Sequence, residues 1–361
     1  MKIAMIGHKY VPSRDGGVEI VVEELSSRMA EDNEVTLFNR KRKEVAKIRE
    51  YKKCKVKSIF TINKKSLDAI IYSFFATLSA VLGKYDVIHF HAEGPCYFLW
   101  MTKFCKKKIV VTIHGLDWQR SKWGGLATKI LKKGEKRAVK YADEIIVLSK
   151  NNQKYFKDIY GRETVYIPNG INEAIRREPK IIKNKYNLGK DSYILFLARM
   201  VPEKGCHYLI EAYNQLTDEE KKNKKLVIAG GPSHSDDYYN QIKNMGKNNK
   251  NIVYTGFVEG EELYELFTNT CLYVLPSDIE GMPISLLEAM SYGNKCLTSN
   301  IEENMEVANQ NCISFKKSDI SDLKEKIIYA LNCKNESKSE MKVPNWDEVT
   351  RETLEIYRKE K

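Results

Sequence analysis

The sequence has no apolar run of the roughly 18–20 residues that a membrane-spanning helix needs. The nearest, Leu67 to Leu82, is interrupted by Asp68 and several polar residues. The opening Met-Lys-Ile-Ala-Met-Ile-Gly lacks the long apolar region and small-residue cleavage site of a signal peptide, and reads as a first buried strand. These absences set the expectation of a cytoplasmic protein. Eight cysteines, at 54, 96, 105, 206, 271, 296, 312 and 333, include no C-x-x-C pair, so thiols are expected rather than disulfides or zinc ligands. No G-x-G-x-x-G dinucleotide fingerprint and no Walker A loop occur, which argues against a dehydrogenase and a P-loop nucleotidase. No Asp-x-Asp occurs either; Asp278-x-Glu280 is the nearest approach, so a bound metal is not indicated. No short repeat is visible.

What is present is a chain of 361 residues with 42 % apolar residues, enough for two domains with their own cores. The net charge of +12 is lopsided. Residues 1–170 carry 33 Lys/Arg against 18 Asp/Glu, whereas residues 171–361 carry 27 against 30. Two basic runs stand out, Arg40-Lys41-Arg42-Lys43 continuing through Lys57, and Lys103 to Lys108. They read either as a solvated basic face or as a surface for anionic lipid headgroups or a phosphate-bearing acceptor.

Short apolar stretches alternate with helical periodicity. Strands are predicted at Lys2 to Gly7, Val35 to Phe38, Asp86 to Phe90, Lys108 to Ile113, Glu144 to Leu148 and Val165 to Ile167, with helices at Val18 to Ala30, Leu67 to Leu82 and Thr128 to Ala142. After a Pro- and charge-rich linker near residues 168–190 the pattern restarts, with strands at Ser192 to Ala198, Leu226 to Ala229, Ile252 to Tyr254, Leu272 to Leu275 and Lys295 to Thr298. This is an α/β chain with parallel sheets. Trp346 to Lys361 reads as a final amphipathic helix.

In open α/β sheets ligands bind beyond the carboxyl ends of the strands. The strongest constellation follows the strand at 272–275: Pro276-Ser277-Asp278-Ile279-Glu280-Gly281-Met282-Pro283-Ile284, then Glu288. Pro283 is expected at the first helical position, where no N–H partner is needed. The free N–H groups of that turn, between Met282 and Ile284, can hold a phosphate. Glu280 is placed to take sugar hydroxyls and Glu288 ribose hydroxyls. Arg199 ends a strand and Lys204 precedes a helix in Pro202-Glu203-Lys204-Gly205. Two fixed cations there can neutralise a diphosphate leaving group. Gly16-Gly17 opens a helix and lets backbone approach a ligand closely. His114 ends the strand at 108–113 beside Gly115, in reach of a sugar hydroxyl or as a structural histidine. His89 and His91 share one strand face without an evident third metal ligand. Asp117-Trp118-Gln119-Arg120 with Trp123 is a candidate acceptor wall, or a loop that packs its tryptophans inward.

Gly16-Gly17, His114-Gly115, Ile167-Pro168-Asn169-Gly170-Ile171, Arg199 with Pro202-Glu203-Lys204-Gly205, Gly230-Gly231-Pro232, Gly256-Phe257-Val258 and Glu280 with Glu288 run in order over nearly the whole chain. Together they resemble family 4 of the retaining glycosyltransferases with the GT-B fold. The stretch from His114 to Gly124 resembles its bacterial surface-polysaccharide members. The resemblance implies two Rossmann-like domains with an interdomain cleft: residues 1–170 for the acceptor, 171–345 for the nucleotide sugar, and a helix at 346–361 crossing back to the first domain. It implies Arg199 and Lys204 on the diphosphate, Glu288 on the ribose, Glu280 and His114 on the sugar and Gly17 near the phosphates. Backbone around Val258 would lie on the base, and Gly16, Gly231, Met282 and Ile284 would be further donor-binding positions. No cofactor or metal is expected. The implied donor is a UDP, GDP or dTDP sugar, and the acceptor a glycan or lipid-linked hydroxyl. An anionic membrane surface is a candidate partner, with the protein peripheral on the inner face of the cell membrane, and nucleic acid is not one. The competing readings are a sugar-nucleotide epimerase on the same fold and a basic membrane- or nucleic-acid-binding module.

Overall fold

The structure, a computed structural model, describes residues 1–14, 16–43, 45–62, 64, 67–119, 124–232, 236–308, 311–333 and 343–360. The chain divides into two compact units, residues 1–170 with 344–361, and residues 171–343.

The first unit holds strands β1 (Lys2–Ile6), β2 (Glu34–Arg40), β3 (Glu50–Tyr51), β4 (Cys54–Ile59), β5 (Val87–His91), β6 (Lys108–Ile113), β7 (Glu144–Val147) and β8 (Val165–Tyr166), in the order β3-β4-β2-β1-β5-β6-β7-β8. All neighbours are parallel except β3 with β4. β1, β5 and β6 are buried along nearly their whole length, so they read as continuous apolar runs, as strands covered on both faces must. The basic stretch through Lys57, taken from the sequence as carrying no strand, contains β3 and β4. Lys55 and Lys57 alternate outward while Cys54 and Ile59 face the core, so a half-buried strand was hidden among charges.

The helix Trp346–Arg358 belongs to this unit. Asn345 caps it by accepting from the Glu348 N–H at 2.8 Å, with Glu348 reaching back to the Asn345 N–H at 3.3 Å. Its inner face buries Trp346, Val349, Ile356 and Tyr357. The Arg28 guanidinium donates to Asp347 at 2.7 Å, pinning the helix to the helix Gly17–Met29.

The second unit holds β9 (Tyr193–Leu197), β10 (Lys225–Ala229), β11 (Ile252–Gly256), β12 (Leu272–Leu275), β13 (Cys296–Ser299) and β14 (Ile313–Phe315), in the order β11-β10-β9-β12-β13-β14 and parallel throughout. One core side packs Phe196, Leu209, Tyr213 and Leu323; the other packs Tyr193, Leu266, Tyr273 and Leu286. In both sheets the first strand lies in the middle and the order reverses beside it, between β1 and β5 and between β9 and β12. Such a reversal leaves a crevice at the carboxyl ends, because successive connections leave in opposite directions. All eight cysteines are free.

Candidate active site

In the second unit the reversal between β9 and β12 carries the strongest sequence constellation. After β9 the chain runs through Arg199 into the short turn Pro202–Lys204. After β12 it runs through Ser277 to Glu280. The Lys204 ammonium lies 2.6 and 2.7 Å from the two oxygens of Glu280, and both groups are largely buried. The fully buried Ser277 hydroxyl donates to Glu280 Oε1 at 2.6 Å. Glu280 therefore sits between a cation and a hydroxyl that fix its orientation, as a carboxylate meant to point one way must be.

Gly205 makes this approach possible. Its φ of +68° favours glycine, and a Cβ there would fall well inside 3.0 Å of the Pro276 carbonyl oxygen. The Asp278 N–H donates to the Glu203 carbonyl at 2.9 Å, closing the two loops on each other. Asp278 and Glu280 do not converge: Asp278 accepts from Tyr208 at 3.1 Å and Ser318 at 2.7 Å, while Glu280 takes Lys204. No group of three or more His, Cys, Asp or Glu among the described residues is arranged to hold a metal ion.

Arg199 is half-buried and its guanidinium makes no ion pair among the described residues. Gly230, at φ +141°, lets the loop after β10 close onto the end of β9, since a Cβ there would collide with the Ala198 carbonyl oxygen. The Met200 N–H then donates to the Gly231 carbonyl at 3.1 Å, which brings Gly231 beside the Arg199 segment. Val258, half-buried, follows β11 at the same edge, after Gly256 and the exposed Phe257.

Pro283 is the N-cap, not the first helical residue; the helix is Ile284–Ser291. The ring fixes φ at −76°, and ψ of 98° keeps that residue extended, so the chain turns into the helix one position later than expected. Ile284 is buried, so any contact it makes with a ligand comes from its backbone. Met282 is partly buried against the core. The Tyr273 hydroxyl donates to Ser285 at 2.8 Å and anchors the first turn. Burial, above all, pushes that phenol well up, with the charges of Glu280 and Glu288 adding to it. Glu288 is half-buried about one turn along.

Gly16, Gly17 and His114 belong to the first unit. Gly16 is the N-cap of the helix Gly17–Met29, with extended backbone, and Gly17 is exposed. His114 follows β6 and is nearly buried, with its Nε2 3.1 Å from His91 Nδ1. His91 stacks on His89 with ring centroids 4.1 Å apart. The His89 nitrogens are both taken, by Tyr357 OH at 2.6 Å and Thr112 Oγ1 at 2.7 Å. His89 and His91, which share a strand face without a third metal ligand, form a buried hydrogen-bonded column behind His114. Burial holds His89 down to about 3 and His8, after β1, down to about 4; His91 is also held well below the usual value, so all three are neutral.

In the described part of the candidate acceptor wall Trp118 is half-buried and Gln119 exposed. The Trp118 indole donates to Glu135 at 2.9 Å, and Lys132 sits over its ring at 4.3 Å. Arg120 and Trp123 lie outside the described residues. Glu135 also accepts from Tyr155 at 2.9 Å and from Tyr160. Beside it Glu93 is fully buried. Burial first, then the charges of Asp117 and Glu135, push its carboxyl well up, so it is held as a neutral acid. No local signal marks this pair, because Glu93 and Glu135 lie on different helices far apart in the chain. Ser277 was equally invisible, because a serine three residues before a glutamate is common.

Two such parallel sheets match GT-B glycosyltransferase structures over nearly the whole chain. Two family models cover it, "Glycosyltransferase Family 4" over residues 15–174 and "Glycosyl transferases group 1" over residues 178–343. The chain belongs to glycosyltransferase family 4. It is 27 % identical to an uncharacterized glycosyltransferase of Methanocaldococcus jannaschii over 99 % of this chain and 98 % of that protein. It is 26 % identical to O-antigen chain mannosyltransferase B of Escherichia coli over 54 % of this chain; the match spans about half of that relative, 51 %. Among solved structures, Anabaena Alr3699/HepE in complex with UDP and glucose matches with a TM-score of 0.80 at 17 % identity, over 98 % of each chain.

Proposed function

We propose that this protein transfers a hexosyl or deoxyhexosyl group, with retention of configuration, from a nucleotide-diphosphate sugar of UDP, GDP or dTDP type. The acceptor is a hydroxyl of a glycan or lipid-linked molecule in the synthesis of a cell-surface polysaccharide, at the cytoplasmic face of the membrane. The observation that carries the reading is the Lys204–Glu280 pair at the β9/β12 reversal, with Arg199 on the same edge. The mannosyltransferase relative and the UDP complex of the Anabaena protein support the reaction class and the donor class.

In this reading the second unit binds the donor. The anomeric carbon–oxygen bond to the diphosphate breaks, and negative charge grows on the departing phosphate oxygen. Arg199, Lys204 and the N–H groups at the start of the helix Ile284–Ser291 oppose that charge without a metal. Glu280, held by Lys204 and Ser277, receives the sugar hydroxyls, and Glu288 the ribose. Backbone at Gly231, Met282, Ile284 and Val258 lines the nucleotide. Gly16, Gly17 and His114 of the first unit serve the phosphates and the transferred sugar. The acceptor hydroxyl forms the new bond from the face the diphosphate leaves, and its proton passes to the departing phosphate oxygen. The sequence offers no secure covalent nucleophile, so attack within an ion pair is favoured over double displacement.

Thermal-shift screening against UDP, GDP, dTDP and ADP identifies the base. Turnover is then measured with the matching sugar donor for Lys204→Ala and Glu280→Ala. Both variants are expected to lose about a hundredfold or more in kcat with the fold intact. Near-normal turnover in both removes the site. Conversion of the donor into an epimer without any acceptor identifies the isomerase instead.

A further inference from the structure

The helix Asp68–Leu82 in the first unit has its side chains sorted the wrong way for water. Its buried face is Tyr72, Ser73, Ala76, Thr77 and Ala80, small or polar apart from the tyrosine. The two hydroxyls are satisfied within the helix, Ser73 donating to the Ala69 carbonyl at 2.6 Å and Thr77 to the Ser73 carbonyl at 2.7 Å. The large apolar residues Ile71, Phe75, Leu78 and Leu82 recur at i, i+4, i+7 and i+11 on the other face. Phe75 is 39 % exposed and Leu82 is 76 % exposed.

The apolar face continues beyond the helix. Phe60, 54 % exposed, meets Phe75 edge-on with centroids 5.7 Å apart. Phe74 carries it to Phe98 at 5.5 Å, and the same segment then presents Trp100 at 48 % and Phe104 at 88 % exposure. Lys107 staples this segment to the helix end, donating to the Val81 and Gly83 carbonyls at 2.6 and 2.7 Å. A monomer in water rarely leaves so many large apolar groups together.

Residues 52–108 contain eleven lysines and three acids. Lys52, Lys53 and Lys55 pair with Glu23, Glu31 and Glu34, and the lysines that touch the elements of this face are Lys57, Lys103 and Lys107. Of the acids, Glu93 is buried, and Asp68 is buried and paired with Arg40 at 3.0 Å and Arg42 at 2.6 Å. Asp86 accepts from the Lys2 backbone N–H at 2.7 Å. Lys57 donates to Ser79 at 2.6 Å, and Lys103 lies over the Phe104 ring at 5.2 Å, so ammonium groups and apolar side chains are interleaved.

We propose that this face, the outer stripe of the helix Asp68–Leu82 with Phe60, Trp100 and Phe104, inserts shallowly into an anionic lipid bilayer. This deepens the membrane contact in the reading above by naming the surface that makes it. Apolar side chains enter the acyl boundary while lysines meet the headgroup phosphates. No helix among the described residues is long and apolar enough to cross a membrane, so the helix lies in the interface plane. A second copy of the chain is the weaker occupant, because a symmetric pairing through this face would set its lysines against each other.

The test is co-sedimentation of the full chain with phosphatidylcholine vesicles, with and without phosphatidylglycerol. Binding is expected only with phosphatidylglycerol, weakening with added salt, with a blue shift of emission that Trp100→Phe reduces. The double variant Leu82→Ser/Phe104→Ser and the double variant Lys103→Glu/Lys106→Glu should each weaken partition roughly tenfold or more. The nucleoside-diphosphate thermal shift should be unchanged in both. Absence of binding by the parent protein, or equal binding by parent and variants, overturns the proposal. So does a dimer in light scattering that Leu82→Ser/Phe104→Ser dissolves, which assigns the face to a second copy. Lipid binding without any nucleotide response leaves this surface standing and removes the transferase reading; the converse result separates them the other way.

Discussion

Gly205 packs its α-carbon against the carbonyl oxygen of Pro276, joining the loops after β9 and β12 where no larger residue fits. This contact brings the Lys204 ammonium to the Glu280 carboxylate. Gly205→Ala must relieve both a left-handed φ of +68° and the collision. It is expected to cost about 2–4 kcal/mol of stability, and to separate Lys204 from Glu280. Chemical denaturation measures the first and donor turnover the second. A variant within about 0.5 kcal/mol of the parent would show that the two loops do not set each other's positions.

Ser277→Ala removes one buried hydrogen bond to a charged carboxylate. The expected loss is about 1.5–3 kcal/mol, with turnover falling more than nucleotide affinity, because Glu280 contacts sugar rather than base in the proposed reading. Parallel titrations of kcat and of nucleoside-diphosphate binding separate the two effects. A fall in nucleotide binding alone would move Glu280 off the sugar.

Tyr357→Phe leaves His89 Nδ1 buried without its partner at 2.6 Å. Destabilisation of about 1–3 kcal/mol is expected in urea unfolding. The helix Trp346–Arg358 should loosen, seen as faster amide exchange there than in the parent. Unchanged exchange would mean that Trp346 and the apolar contacts hold the helix unaided.

Acid should destabilise the first unit well before its surface carboxylates titrate. His8, His89 and His91 are held below the ordinary 6.5 by burial, so each takes up a proton on unfolding once the pH drops beneath that value. Their contribution is present above 6.5 and is lost towards about 4 for His8 and about 3 for His89. Glu93 works the other way: its carboxyl is raised above 4.5, so its contribution is full below 4.5 and is lost as pH climbs through the folded value. Between pH 6 and 5 three imidazoles outweigh one carboxyl, giving a net uptake of about two protons and a slope of roughly 3 kcal/mol per pH unit. Denaturant midpoints across that window check it, and Glu93→Gln should steepen the slope by about one proton.

The parts of this molecule legible in the sequence are those with local signals. Glycine and proline after apolar runs marked the ends of β6, β9, β10 and β12, and the Pro-Glu-Lys-Gly and Glu-Gly-Met-Pro turns marked the two loops that meet at Lys204 and Glu280. β4 was hidden because its outward Lys55 and Lys57 alternate with short or half-buried residues inside a longer basic run. The polar helix Lys150–Tyr160 went unread although Ser149 caps it, accepting from the Asn152 N–H at 3.1 Å. Long-range partnerships had no local trace: the His89–Tyr357 bond spans 268 positions, and the Trp118 indole is held by Glu135 on another helix.

The placement of the helix Trp346–Arg358 makes the first unit discontinuous in sequence. The chain leaves it after Gly170, forms the second unit, and then returns to supply Trp346 and Tyr357 to the first. A chain cut before Pro344 would therefore keep every strand of both sheets and strip only the first unit of the two aromatic side chains that cover part of its core.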